Sequence, residues 1–367
     1  MIEINKIGEA NGSALIMLAI FAYSLGVSKS SFEWTVKINA NNQLPKLPLK
    51  LVSSVLLIVI TSVLFLGLFI FLIYSGPVLK NVNRVEFWES MKSTGLSFFP
   101  TLVIQTFYFV AYYYLHRKYD KRKKRNALLF LGAYIIITAL VLGEKFSAFI
   151  IYMSVFLALF PSFVNKFKLH IKYVFLGGGL ISLLVIVIAF SYIIQGRDSS
   201  FIFIRAALQG QLMWSIFNES FPKLIDLNMS CFLGCNAFEN GKEYISFKYL
   251  PVATYIHYKN TGTQLSGFAP ALQLLTLGII PTLFLQTFVS FLLGFLQARM
   301  VAYNSQRNFI MGFLLFKLSL TVFLVWYVIM FTAFTGGVLT IIAIVLYIIL
   351  CKSTYGKKSL ETSKHIA

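Results

Sequence analysis

The chain has 367 residues, 58% of them hydrophobic, and 32 Lys and Arg against 13 Asp and Glu, for a formal charge of +19. Its mean hydropathy of +0.77 excludes an ordinary water-soluble domain. In a soluble protein such a charge surplus would point to nucleic acid, but short basic loops between long apolar runs orient helices in a bilayer and account for it without that partner.

Apolar runs occur at about 13–28, 51–75, 96–115, 126–142, 146–164, 173–194, 273–297, 309–331 and 333–351. Most approach the roughly 20 residues that a spanning helix needs. The expected fold is therefore an all-α, polytopic integral membrane protein with about nine transmembrane helices. Residues 1–367 are expected to form a single membrane domain, since no loop holds a soluble domain.

Alternate loops differ sharply in charge. Residues 29–50, 116–125, 161–172, 298–308 and the tail from Lys352 together carry 20 Lys and Arg beside Glu33, Asp120 and Glu361. These loops are expected on the cytoplasmic side. The N-terminal stub, 76–95, the Glu144-Lys145 turn and the long segment 195–272 carry 11 basic and ten acidic residues. Lys317 lies inside a span, where it can snorkel to the cytoplasmic surface. The topology places Met1 outside, so either a weakly charged stub is translocated or the chain starts one helix late.

His116 to Arg125, the most basic stretch, reads as a topology determinant touching anionic headgroups. Gly177-Gly178-Gly179 lies within a span and suits close helix packing. Cys231 and Cys235 fall on the outer side and Cys351 near the cytoplasm, so only the first two are placed to pair. A metal site is disfavoured there because His257 is the one histidine on that side.

After topology is subtracted, the outer positive charges are the candidates for chemistry. In the first outer loop Gly76-Pro77 breaks a helix, and Arg84 follows beside Phe87 and Trp88. Arg84 is either a headgroup contact, paired with Glu86 or Glu89, or a positive group over a lipid-linked anion. Glu144 and Lys145 sit where two short helices meet, as a local ion pair or as a site, since charges so near hydrocarbon are costly without partners.

Gln195-Gly-Arg197-Asp198-Ser199 precedes a largely apolar stretch containing Arg205, Gln209 and Trp214. Asp198 or Ser199 is a suitable N-cap. The helix expected over about 201–217 would lie on or dip into the outer leaflet, with Arg205 and Gln209 one turn apart. Its N-terminus beside Arg197 suits a phosphate or pyrophosphate. An interfacial amphipathic helix without substrate has the same pattern.

No Asp-x-Asp motif, P-loop or dinucleotide fingerprint is present, which leaves nucleotide sugars and ATP unsupported as substrates. Guanidinium groups can work without metal by stabilising a departing pyrophosphate. The base for an attacking hydroxyl stays open among Glu144, Glu86 and His257.

Gly76 to Trp88, the Gly143-Glu-Lys145 turn, Arg197, and Arg205-Ala-Ala-Leu-Gln-Gly-Gln-Leu-Met-Trp214 resemble the Wzy-type O-antigen polymerases and the wider group of oligosaccharide repeat-unit polymerases. The resemblance covers about residues 50–350. It implies a GT-C-like, metal-independent glycosyltransferase without cofactor, in the bacterial inner membrane with its site facing the periplasm. The implied reaction moves a growing glycan from undecaprenyl pyrophosphate onto a new lipid-linked repeat unit. By carry-over, Arg84, Arg197 and Arg205 handle lipid pyrophosphate and glycan, Glu144 joins them in catalysis, and Lys145, Gln209, Trp88 and His257 contact substrate. Membrane lipid, a chain-length regulator and a flippase are the implied partners, and nucleic acid is not. These polymerases usually have more spans and a cytoplasmic N-terminus. An O-antigen ligase, which uses the same donor, and a flippase of lipid-linked oligosaccharides are the alternatives.

Overall fold

The computed structural model describes residues 13–39, 223–228, 252–260, 270–306, 308–327 and 333–364, together with isolated positions elsewhere. Among the described residues regular structure is helical and no strand occurs. Six helices are defined: α1 (Ser13–Asn39), α2 (Val252–Asn260), α3 (Ala271–Leu277), α4 (Ile279–Ser305), α5 (Phe309–Tyr327) and α6 (Ala333–Lys364). Among the described residues three stretches are long and apolar enough to cross a membrane, Ile279–Ser305, Ile310–Tyr327 and Ala333–Cys351. The described part of the chain thus has the apolar helices of a membrane protein. The expected span at 13–28 falls within α1, and within those between 51 and 194 only scattered positions are described, among them Val63, Tyr108, Tyr134, Val155 and Ile186, and each is helical.

The chain divides into two compact units, Met1–Leu44 with Phe203–Ala302 and Leu314–Ile349, and Pro45–Ile202 with Tyr303–Phe313 and Leu350–Ala367. In the first unit α1 packs on α4 through small residues. A Cβ at Gly294 would run into the backbone of Ser28, so the two helices touch main chain to main chain there. Ser31 donates to the carbonyl of Phe291 at 2.7 Å, and Tyr23 and Thr287 share a hydrogen bond of 2.8 Å. Small residues are what let membrane helices approach this closely, because hydrocarbon supplies no hydrophobic drive for association. The contact also explains why α1 runs to Asn39, well beyond the apolar run at 13–28. Its second half carries Ser31 and Thr35, both buried.

A comparable contact joins α5 and α6, where a Cβ on Gly337 would stand 2.7 Å from Thr321 Cγ2. The core of this unit gathers Phe232, Leu272, Leu277, Val289 and Trp326. Phe232 belongs to the long segment 195–272, so part of that segment is anchored in the helical core.

In the second unit, buried Tyr108 donates to Asn304 Oδ1 at 2.7 Å and its ring lies 5.4 Å from that of Phe313. Gly312 leaves room for this pair, since a Cβ would stand 2.6 Å from the Tyr108 hydroxyl. Asn308 precedes α5, and its side-chain oxygen accepts from the Met311 amide at 3.4 Å, in the manner of an N-cap. In the first unit α4 outruns the apolar run at 273–297. Arg299 lies inside α4, its guanidinium 5.4 Å from the Phe295 ring, because a flexible stem lets the charge lie along the helix. Cys351 is buried, and α6 continues beyond it through the basic tail to Lys364.

Candidate functional site at a broken helix

The apolar run at 273–297 is expected to be one helix, but it is broken at Gly278. Two residues cause the break. Pro281 has no N–H to give Leu277 and its ring would clash with that carbonyl in a continuous helix. Gly278 adopts φ 87° and ψ 177°, a region essentially confined to glycine.

A break in a membrane helix exposes backbone groups that need partners. Here the segment Lys223–Asn228 supplies them to both helix ends. The amides of Asp226 and Leu227 donate to Leu277 O at 3.0 and 3.3 Å, and that of Asn228 to Thr276 O at 2.7 Å, closing the end of α3. In return, Lys223 O accepts from Ile279 N at 2.9 Å and Leu224 O from Ile280 N at 3.0 Å, closing the start of α4. Pro281 has no donor, and Thr282 N already bonds to Gly278 O. The four amides that open α4 are thereby accounted for. Leu227 bends the segment with φ 52°, a left-handed conformation that bonds at Asp226, Leu227 and Asn228 hold in place.

A buried polar seam runs along α4 from this break. Gln286 is its centre: Trp326 Nε1 donates to its Oε1 at 2.5 Å, and its Nε2 lies 2.7 Å from Ser24 Oγ and 2.6 Å from the Tyr327 hydroxyl. Ser290 lies 3.3 Å from the same hydroxyl, and Gln273 Nε2 donates to Trp326 O at 2.9 Å. Thr282, Gln286 and Ser290 recur every four residues and so share one face of α4. Among the described residues, Gln273 Oε1 and Thr282 Oγ1, on either side of the break, are buried without a hydrogen-bond partner. They give the seam unspent capacity for a hydroxyl or a water.

The segment leading into α3 carries the titratable cluster of this unit. Glu243 Oε1 accepts from Lys259 Nζ at 2.9 Å and from the Tyr255 hydroxyl at 2.9 Å. The Glu243 side chain is only 15% exposed, so the pair is partly shielded from solvent. The hydrogen bond and charge of Glu243 raise the Lys259 ammonium above its ordinary value of 10.5. Desolvation, followed by the bond to Glu243, raises the Tyr255 phenol above 10.0. Lys223 and Asp226 form a second, more exposed pair at 3.3 Å.

Of the residues expected to form a site, Arg84, Trp88, Glu144, Lys145, Arg197, Arg205 and Gln209 lie outside the described residues, as do Cys231 and Cys235 and the helix expected over 201–217. His257 lies on α2, two residues from Tyr255 and two from Lys259 in sequence, and its side chain is outside the described set. Glu243 and the seam are absent from those expectations. A proline three residues after a glycine within an apolar run was the available signal for the break. Nothing local pairs Glu243 with Lys259. Among the described residues no group of three or more His, Cys, Asp or Glu is placed to hold a metal ion. A groove of about 590 Å³ beside α1, walled by Tyr23, Trp34 and Phe291, is apolar and holds no acid or base.

These features define a helical membrane protein in which the six residues Lys223–Asn228 close two helix ends. Searches against protein-family models, curated proteins and solved structures return no match.

Proposed function

We propose that this chain is a polymerase of lipid-linked oligosaccharides of the Wzy O-antigen type, with about nine spans and its site on the periplasmic face of a bacterial inner membrane. One observation carries the reading: once the 20 basic residues of the inner loops are assigned to topology, Arg84, Arg197 and Arg205 remain on the opposite face. They stand in stretches that resemble that family. Guanidinium groups bind pyrophosphate through paired hydrogen bonds and stabilise it as a leaving group. The undecaprenyl-pyrophosphate donor is a lipid, which fits a site at a membrane surface. Glu144, Glu86 and His257 stay candidates for the base, and Lys145, Gln209 and Trp88 for glycan contact.

A flippase is favoured by one feature, since transporters commonly build their sites at broken helices near the midplane. The position of the break weighs against it. Twenty residues counted back from Arg299 reach Ile280, and 20 helical residues span about 30 Å, the thickness of the hydrocarbon. The break therefore falls at the outer boundary in this topology. A ligase differs from the polymerase in its acceptor.

Surface glycan from a deletion strain separates the three. Loss of the polymerase leaves a single repeat unit on the acceptor lipid, loss of the ligase leaves none, and a flippase moves lipid-linked oligosaccharide across vesicles without forming polymer. Arg84→Ala, Arg197→Ala and Arg205→Ala are each expected to insert in the membrane yet abolish long-chain glycan. Normal chain length in all three would refute the site.

A further inference from the structure

We propose that Leu224, Ile225 and Leu227 form a non-helical membrane anchor that enters the lipid leaflet at the α4 N-terminus. The three side chains are 67, 55 and 59% exposed within a stretch of six residues. Such a density of exposed large aliphatics on a polar-flanked loop marks an interaction surface.

The occupant follows from where the segment is tied. Lys223 O and Leu224 O bond to the first two amides of α4, a helix of spanning length, which sets the segment at the level where that helix begins. Leu224 thereby adjoins Ile280, and the patch continues into Leu283 and Phe284 on the exposed face of α4, the face a spanning helix turns to lipid. The proposed surface is thus continuous with the lipid-facing surface of the helix.

Irregular backbone enters an apolar layer only where its polar groups are satisfied. Five of the polar groups in Lys223–Asn228 are engaged by the ends of α3 and α4, so the segment brings its aliphatic side chains down with much of its own backbone already bonded. Lys223, 72% exposed and 3.3 Å from Asp226, stands at the polar end of the patch, at headgroup level. The depth is accordingly shallow, with aliphatic tips among the upper acyl carbons and Lys223 in the headgroups. This inference holds for either orientation of the chain and does not rest on the proposed reaction.

The test uses the full chain in nanodiscs of phosphatidylethanolamine and phosphatidylglycerol. With Cys231, Cys235 and Cys351 replaced by Ser, a nitroxide is attached through Ile225→Cys, and through Lys223→Cys and Phe284→Cys for comparison. Expected is stronger relaxation by oxygen than by a water-soluble nickel chelate at 225 and 284, with the reverse at 223. Nickel-dominated relaxation at 225 would overturn the anchor. Shielding from both reagents would also overturn it, because a second copy or another protein would then cover the patch. Should the cysteine-free chain fail to fold, the unmodified protein is irradiated in vesicles of the same lipids carrying a diazirine in the acyl chain. Adducts on the peptide containing 224–227 support the anchor, and their absence beside adducts on α4 refutes it.

Discussion

Gly278 faces the carbonyl of Leu224 so closely that a Cβ on the glycine would stand 2.9 Å from that oxygen, and 2.8 Å from the Cα of Ile225. The close approach makes the break in the helix and the binding of Lys223–Asn228 a single structural event. Gly278→Ala is expected to destabilise the protein by at least about 1–3 kcal/mol, the usual cost of a non-glycine residue in such a backbone region. Gly336→Ala is the control, because nothing lies within 4 Å of a Cβ there. It should be neutral or slightly stabilising in an exposed helical position. Thermal unfolding in detergent separates the two, and equal melting temperatures would contradict the role given to Gly278.

Gln286 holds three partners from two other helices, Ser24, Trp326 and Tyr327. Gln286→Leu strands the indole N–H of Trp326, and leaving one buried donor unmade costs about 1–3 kcal/mol. Adding Trp326→Phe to that variant should cost less than the sum of the two single changes, since both sides of the bond are then absent. A double-mutant cycle in denaturant checks this, and strict additivity would exclude coupling.

Gly294 is where α1 and α4 touch. Gly294→Leu is expected to separate them and to lower the melting temperature more than Gly26→Leu on the open side of α1, where nothing lies within 4 Å. Crosslinking between α1 and α4 should fall in parallel. Unchanged crosslinking in the Gly294 variant would show that the close approach is dispensable.

The Glu243, Lys259 and Tyr255 cluster gives a pH dependence whose sign follows from the shifts. Lys259 and Tyr255 both titrate higher in the folded chain than their ordinary 10.5 and 10.0. Each therefore contributes stability that is fully present below those values and is lost as pH rises through the higher folded values. Between pH 6 and 9 these two groups add no slope, and above about pH 10 stability falls. Glu243→Gln should flatten that alkaline loss, as measured by unfolding midpoints from pH 8 to 11. The same alkaline slope in wild type and variant would mean that other groups set it.

Several parts of this architecture are legible one residue at a time. The apolar runs at 309–331 and 333–351 correspond to α5 and to the spanning part of α6, because hydrocarbon thickness acts on local hydropathy alone. The ends are less legible. Arg299 stays inside α4 by lying over Phe295, and Ser31 and Thr35 extend α1 because α4 offers a surface to pack on. The run at 273–297 hides its break, since leucines and isoleucines on both sides of Gly278 keep its average hydropathy high. The charge-based candidates, Arg84, Glu144, Lys145, Arg197 and Arg205, were found by subtraction and lie outside the described residues. Glu243 carries no local signal, because its meaning depends on Lys259 and Tyr255 folding back to it.

Apolar runs are enough to mark the chain as a helical membrane protein and to locate its last helices, because burial in lipid is a sum over neighbouring residues and needs no knowledge of distant ones. The folded chain alone shows that the helix before Pro281 ends at Gly278, that Lys223–Asn228 closes the two helix ends meeting at the break, and that Gln286 joins three helices. Those outcomes turn on which hydrogen-bonding groups meet across space. Backbone amides and carbonyls are the same at every position, so no local pattern announces their partners.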